Sequence, residues 1–198
     1  LTAEEDLKES LFESMKKRMP WLIVLLGLGM VVSSVVGMFE KVVTCLPIIM
    51  CFQSLILDMA GNVGTQSLAV TIRVLMDETL TGRQKAELVL KEMRIGLCNG
   101  GLLGILSFVL IGLYIFLFKG KTLVFAYAVS GCIGLSLLVA MLVSSAVGTC
   151  IPLFFKKVGV DPAVASGPLI TTVNDLVAVI TYYGMSWIFL IEMFHLAG

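Results

Sequence analysis

Three uncharged stretches constrain this chain more than any other feature. Trp21 to Phe39, Ile95 to Phe118 and Thr122 to Phe155 contain no Asp, Glu, Lys or Arg. A run of about 18 or more apolar residues is long enough to cross the ~30 Å hydrocarbon layer as a helix. Backbone groups inside lipid must be satisfied within the chain, so only helices or a closed barrel can span it. A barrel would alternate polar and apolar residues in segments of about ten, and no such alternation is present. With 58% hydrophobic residues, only 14% charged and a mean hydropathy of +1.01, the chain reads as an all-α integral membrane protein.

Five spans are expected, at about 21–39, 45–75, 95–118, 122–155 and 163–196. Together they form one membrane domain, 21–198. The second span holds the polar block Gly61-Asn62-Val63-Gly64-Thr65-Gln66-Ser67, and the fourth is long enough that it must tilt, bend or protrude. Residues 1–20 read as a charged amphipathic helix at the cytoplasmic interface, with Leu7, Leu11, Phe12 and Met15 on one face. Residues 77–94 read as a polar loop with some helix. No cleavable leader is read in the charged first twenty residues.

Lys and Arg set the expected orientation. Eleven lie in the N-terminal segment, the second loop with its margins, and the fourth loop; only Lys41, Lys119 and Lys121 lie on the other side. The positive-inside rule then puts the N-terminus in the cytoplasm and the C-terminus outside. A net charge of zero offers no basic face for nucleic acid, which excludes that partner class. The five cysteines all fall in apolar segments without a CxxC pair, and read as small hydrophobes. Gly96, Gly100 and Gly104 recur every four residues, a smooth stripe for close helix packing in lipid.

Two carboxylates stand deep inside spans, Asp58 and Asp175. Even the lenient insertion scale charges roughly 2.5–3.5 kcal/mol for a mid-bilayer aspartate, so such residues normally face a bundle interior or water. At 1.5 Å per residue, Asp175 lies roughly 18 Å from Ala163 and Asp58 roughly 20 Å from Cys45. Entering from opposite sides, both land near the midplane and could share one chamber. Ser54, Asp58, Asn62 and Gln66 follow an i, i+4 spacing and form one polar stripe. Pro168, Thr171, Thr172, Asp175 and Tyr182 fall on roughly one side of the fifth span. Pro168 frees the carbonyl four residues before it, and Gly61, Gly64 and Gly167 are expected to loosen the backbone nearby. Carbonyl and carboxylate oxygens suit Mg²⁺, Ca²⁺ or Mn²⁺. The only histidine, His195, lies near the outer terminus and reads as interfacial.

The block Ala60-Gly61-Asn62-Val63-Gly64-Thr65-Gln66-Ser67, together with Asp161-Pro162-Ala163 and Gly167-Pro168-Leu169-Ile170-Thr171-Thr172-Val173-Asn174-Asp175, resembles the membrane domain of the MgtE-type magnesium transporters, which are related to the animal solute-carrier magnesium transporters. The resemblance covers the chain from Trp21 onward. It implies a homodimer in the cell membrane with a pore on the dimer axis, lined by the second and fifth helices. Asp175 would face a hydrated Mg²⁺ with the Thr171 main-chain carbonyl close by, and Asn62 and Gly167 would lie toward the cytoplasmic part of the pore. Gly61, Gly64, Gln66, Pro168 and Thr172 would complete the lining. Family members commonly carry cytoplasmic regulatory domains ahead of the membrane part; these are absent or trimmed here, and the chain opens on Leu1. Asp58 stands where a small residue is expected in the family, and reads as a second metal-facing carboxylate.

Mg²⁺ sheds water reluctantly, so a wide site with few carboxylates can select it as the hydrated ion. Mn²⁺, Co²⁺ or Ca²⁺ could use similar oxygens. A carrier exchanging Na⁺ or H⁺ for a divalent cation would use the same midplane carboxylates, so the channel and carrier readings both stand at the level of sequence. An intramembrane aspartyl protease is remote, because the contexts Leu57-Asp58-Met59 and Asn174-Asp175-Leu176 lack the flanking tyrosine and glycines of that chemistry. A serine protease of the rhomboid type would need a mid-span histidine. No enzyme activity is expected.

Overall fold

A computed structural model describes residues 10–77 and 80–193. Every extended element among them is helical: α1 (Leu11–Met38), the short α2 (Glu40–Cys45), a 3-10 turn (Pro47–Ile49), α3 (Met50–Asp77), α4 (Gly82–Lys119), α5 (Leu123–Lys157), α6 (Pro162–Met185) and a closing π-helical stretch (Ser186–Met193). Five of these helical segments are long and apolar enough to cross a membrane: Leu11–Met38, Pro47–Met76, Gly82–Lys119, Leu123–Lys157 and Leu169–Met193.

The helix starts follow from local chemistry. Ser10 caps α1 through a reciprocal pair with Glu13, and Thr81 caps α4 through the same pair with Gln84. In each box the hydroxyl accepts the N–H three residues on, while the longer side chain accepts the cap residue's own N–H. Thr122 caps α5 by accepting the Phe125 N–H at 3.3 Å. The tight α4–α5 turn rests on Gly120, whose φ of +61° is the left-handed conformation in which a side chain costs energy.

Two sequence expectations change here. α1 runs unbroken from Leu11 through Pro20 to Met38, so the charged segment and the first span are one helix over that range. Residues 1–9 lie outside the described residues, as does His195. The stretch 77–94, expected as a polar loop with some helix, is helix throughout from Gly82 onward. The Thr81 box starts α4 about three turns before the apolar run begins, an extension that hydropathy does not register.

α5 is the centre of the bundle and packs against α3, α4 and α6. Its partnership with α4 is the broadest and is built on the glycine stripe. A Cβ on Gly104 would come 2.7 Å from the Gly134 carbonyl oxygen, and one on Gly100 2.9 Å from the Leu138 Cα. Gly96 abuts Met141 and Ser145 in the same way, whereas Gly101, on the other face, has nothing within 4 Å. Ser136, Ser145 and Thr149 of α5 donate to the carbonyl four residues back at 2.7–2.9 Å, which hides hydroxyls that lipid cannot satisfy.

α3 and α6 run antiparallel side by side. Tyr182 donates to the Ile49 carbonyl at 2.8 Å, Tyr183 donates to Gln53 Oε1 at 2.6 Å, and Phe39 stacks on Tyr183 with ring centroids 5.7 Å apart. At the basic end of the bundle the Lys156 ammonium donates to the Leu75 carbonyl, near the C-terminus of α3.

Candidate functional site

The two faces of α3 differ in kind. Ile56, Ala60, Val63, Gly64, Ser67 and Thr71 are buried in the bundle. Ser54, Asp58, Asn62 and Gln66, four residues apart in succession, are all exposed on the surface of the chain. They make a polar strip roughly 18 Å long by the helical rise, inside a span and pointing away from the protein core. Unpartnered polar groups of this kind are not stable against lipid.

The helix through the polar block is continuous. Thr65 Oγ1 donates to the carbonyls of Gly61 at 3.0 Å and Asn62 at 2.9 Å, so these oxygens are engaged by the helix itself and the expected loosening does not occur. Gly64 also departs from expectation. It is buried and turned away from the strip, its backbone pressed against Gly148 of α5 and Asn174 of α6. Its role is close approach, because a Cβ there would strike the Asn174 carboxamide. Gly61, by contrast, is half-buried with open space around it.

On α6, Asp175 is half-buried, Thr171 one turn earlier is exposed, and Gly167 one further turn back is half-buried with nothing within 4 Å of its Cβ position. The three share a face by their spacing. Thr171 Oγ1 donates to the Gly167 carbonyl at 3.3 Å, and the Thr171 carbonyl keeps a second lone pair beyond its helical bond. Thr172 is half-buried; the side chain of Pro168 lies outside the described residues. α6 continues as an α-helix through Pro168. Tyr182 leaves this group altogether and is buried at 1% exposure.

The register of α3 and α6 is fixed at two levels, by Gly64 against Asn174 and by Gln53 with Tyr183. Interpolation between them puts Asp175 level with Val63, next to Asn62. Asp58 lies roughly 7 Å toward the Gln53 end. The two carboxylates therefore occupy adjacent levels. Among the described residues no three of His, Cys, Asp and Glu come together.

Sequence reasoning missed two polar residues. Glu92 of α4 is buried at 4% exposure, and its Oε2 accepts a hydrogen bond from Ser67 Oγ at 3.0 Å. It continues the Gly96, Gly100, Gly104 stripe by one more turn, a signal available in the sequence. Asn174 is fully buried on the stripe Ile170, Asn174, Ala178, Tyr182, where a polar residue interrupts an otherwise core-facing pattern.

Comparison with known proteins bears on this arrangement. Residues 53–185 match the family model MgtE, described as a divalent cation transporter. The chain is 37% identical over 186 residues to the magnesium transporter MgtE of Enterococcus faecalis, which covers 94% of this chain and 39% of that protein. It is 34% identical over 174 residues to the Bacillus subtilis magnesium transporter MgtE, covering 88% and 37% respectively. With the Thermus thermophilus protein of the same name it shares 33% identity over 170 residues, 85% of this chain and 35% of that one. The chain thus spans well under half the length of the curated relatives it matches. The matched region contains α3 to α6 with the polar strip and Asp175, and the chain belongs to the MgtE family of divalent cation transporters.

Proposed function

We propose that this chain forms the membrane pathway of a divalent-cation channel or transporter, in the cell membrane, that moves hydrated Mg²⁺. One observation carries the reading. The strip Ser54, Asp58, Asn62, Gln66 is exposed on the surface of the chain although it lies within a span. A strip facing lipid would be costly at each residue, most of all at Asp58. A strip facing water or a second copy of the same strip is not. Two copies related by a two-fold axis bring the strips together and double each carboxylate level. The relatives are named as magnesium transporters, which agrees with the oxygen-only chemistry.

In this reading the ion enters with its water shell and is met by Asp175 beside Asn62, with the Thr171 carbonyl one turn away. Selectivity then rests on the spacing of two carboxylates across the axis, because Mg²⁺ holds its six waters in a fixed octahedron. Asp58 forms a second charged level roughly 7 Å further along. Transport of the ion needs no bond making or breaking.

The test is uptake of Mg²⁺ into proteoliposomes by the purified protein and its Asp175→Ala variant, with a metal titration alongside. Loss of uptake with retained folding is expected. Undiminished uptake by Asp175→Ala would refute the site.

A further inference from the structure

Asn174 sits beside Asp175 but about 100° round the helix, turned toward Gly64 of α3. It is fully buried, and neither its Oδ1 nor its Nδ2 has a hydrogen-bond partner. Ser144 Oγ of α5 is in the same condition, one turn from Gly148 on the same face. The other buried hydroxyls described above on α5 return to their own backbone. Leaving such groups unpaired costs about 1–3 kcal/mol each. An alanine or leucine would avoid that cost, so the amide is not there for stability.

The carboxamide occupies the notch left by Gly64. A Cβ on Gly64 would come 2.9 Å from Asn174 Cγ and nearer still to Nδ2, while the other side of the Gly64 backbone lies against Gly148. The three nearest atoms to that Cβ position all belong to Asn174. The contact therefore sets how closely α6 approaches the polar block of α3, at the level where Asp175 and Asn62 stand.

We propose that Asn174 is a positioning residue. By seating its carboxamide against the Gly64 backbone it fixes the depth and rotation of Asp175 relative to the α3 strip, and so sets how sharply the site discriminates between hydrated divalent cations. The inference rests on the pathway reading above, and deepens it by assigning the selectivity of the Asp175 level to a residue that never touches the ion. α6 is a rigid helix, so a small shift at Asn174 is passed directly to its neighbour. A site selecting a hydrated ion by carboxylate spacing is sensitive to such shifts.

The experiment compares wild type, Gly64→Ala, Asn174→Ala and Gly64→Ala/Asn174→Ala in full-length purified form. Folding is read by monodispersity and thermal midpoint, and transport by the Mg²⁺ concentration for half-maximal uptake and its ratio to that for Ca²⁺. Gly64→Ala alone is expected to lower uptake at least tenfold or to fail to fold. The double variant is expected to regain folding, because truncating Asn174 clears the three atoms that the new methyl would strike. Asn174→Ala and the double variant should both show a half-saturating Mg²⁺ shifted at least threefold, a reduced Mg²⁺/Ca²⁺ preference and near-normal maximal uptake. If Asn174→Ala does not fold, Asn174→Ser replaces it. A double variant no better folded than Gly64→Ala overturns the contact. Wild-type half-saturation and ion preference in every folded Asn174 variant overturns the positioning role. Asp175→Ala separates this inference from its premise: uptake that survives Asp175→Ala sinks the pathway reading, whereas loss there with unchanged Asn174 variants sinks only the positioning role.

Discussion

Gly104→Ala is the substitution that best tests how this bundle is held together. The added Cβ would stand 2.7 Å from the Gly134 carbonyl oxygen, and ordinary contact begins near 3.4 Å. Relief requires α4 and α5 to separate locally by about 0.7 Å. A gap of that size forfeits a quarter to a half of the dispersion energy between the facing atoms. With roughly 20 atom pairs at about 0.15 kcal/mol each, the loss is about 1 kcal/mol. Residual overpacking raises the total to about 1–3 kcal/mol. At about 2–4 °C per kcal/mol for a chain of this size, the thermal midpoint should fall by roughly 2–12 °C. Gly101→Ala is the matched control: it lies three residues earlier on the open face, with nothing within 4 Å, and should leave the midpoint unchanged or slightly higher. Thermal melts by intrinsic fluorescence in one detergent, with size-exclusion profiles to confirm monodispersity, read both variants. A Gly104→Ala midpoint within 1 °C of wild type, or an equal fall in Gly101→Ala, would refute the close-approach account of α4 and α5.

Three further outcomes follow from the polar residues. Glu92→Gln keeps an acceptor for Ser67 Oγ and should fold near wild type, whereas Glu92→Ala strands a buried hydroxyl and should cost about 1–3 kcal/mol, measured by the same melts. For Asp58, an ion held at the Asp175 level about 8 Å away in a water-like medium gains about 1 kcal/mol from the extra charge; Asp58→Asn should weaken Mg²⁺ binding about fivefold in a metal titration, and Asp58→Gly similarly, with unaltered binding and transport in both removing Asp58 from the pathway. Finally, a channel gives currents that reverse at the Mg²⁺ equilibrium potential whatever the Na⁺ and pH gradients; a reversal that tracks either gradient would assign coupled transport instead.

Residues with a local signature are legible in the amino-acid sequence. The apolar runs of α1, α4 and α5 follow from length against bilayer thickness, and membrane-like packing from the four-residue recurrence of Gly96, Gly100 and Gly104. The same periodicity puts Ser54, Asp58, Asn62 and Gln66 on one face. Helix extent is less legible, because hydropathy marks where lipid begins and not where a helix does. Residues 82–94 resemble a loop for that reason, and Glu92 is hidden among them. The cap that starts this segment, Thr81 with Gln84, is a signal of backbone satisfaction and carries no hydropathy.

Periodicity states which residues share a face, but not what that face meets. The sequence alone therefore determined five membrane-long helices, one polar strip on the second and a carboxylate on the fifth. The tertiary structure decided that the strip points outward while Gly64, inside the same motif, turns inward against Gly148 and Asn174. It also set the α3–α6 register, in which interpolation puts Asp175 beside Asn62 and Val63, roughly 7 Å along from Asp58. These follow from the register between helices far apart in the chain, which is set by close approach at glycines and by hydrogen bonds such as Tyr183 to Gln53.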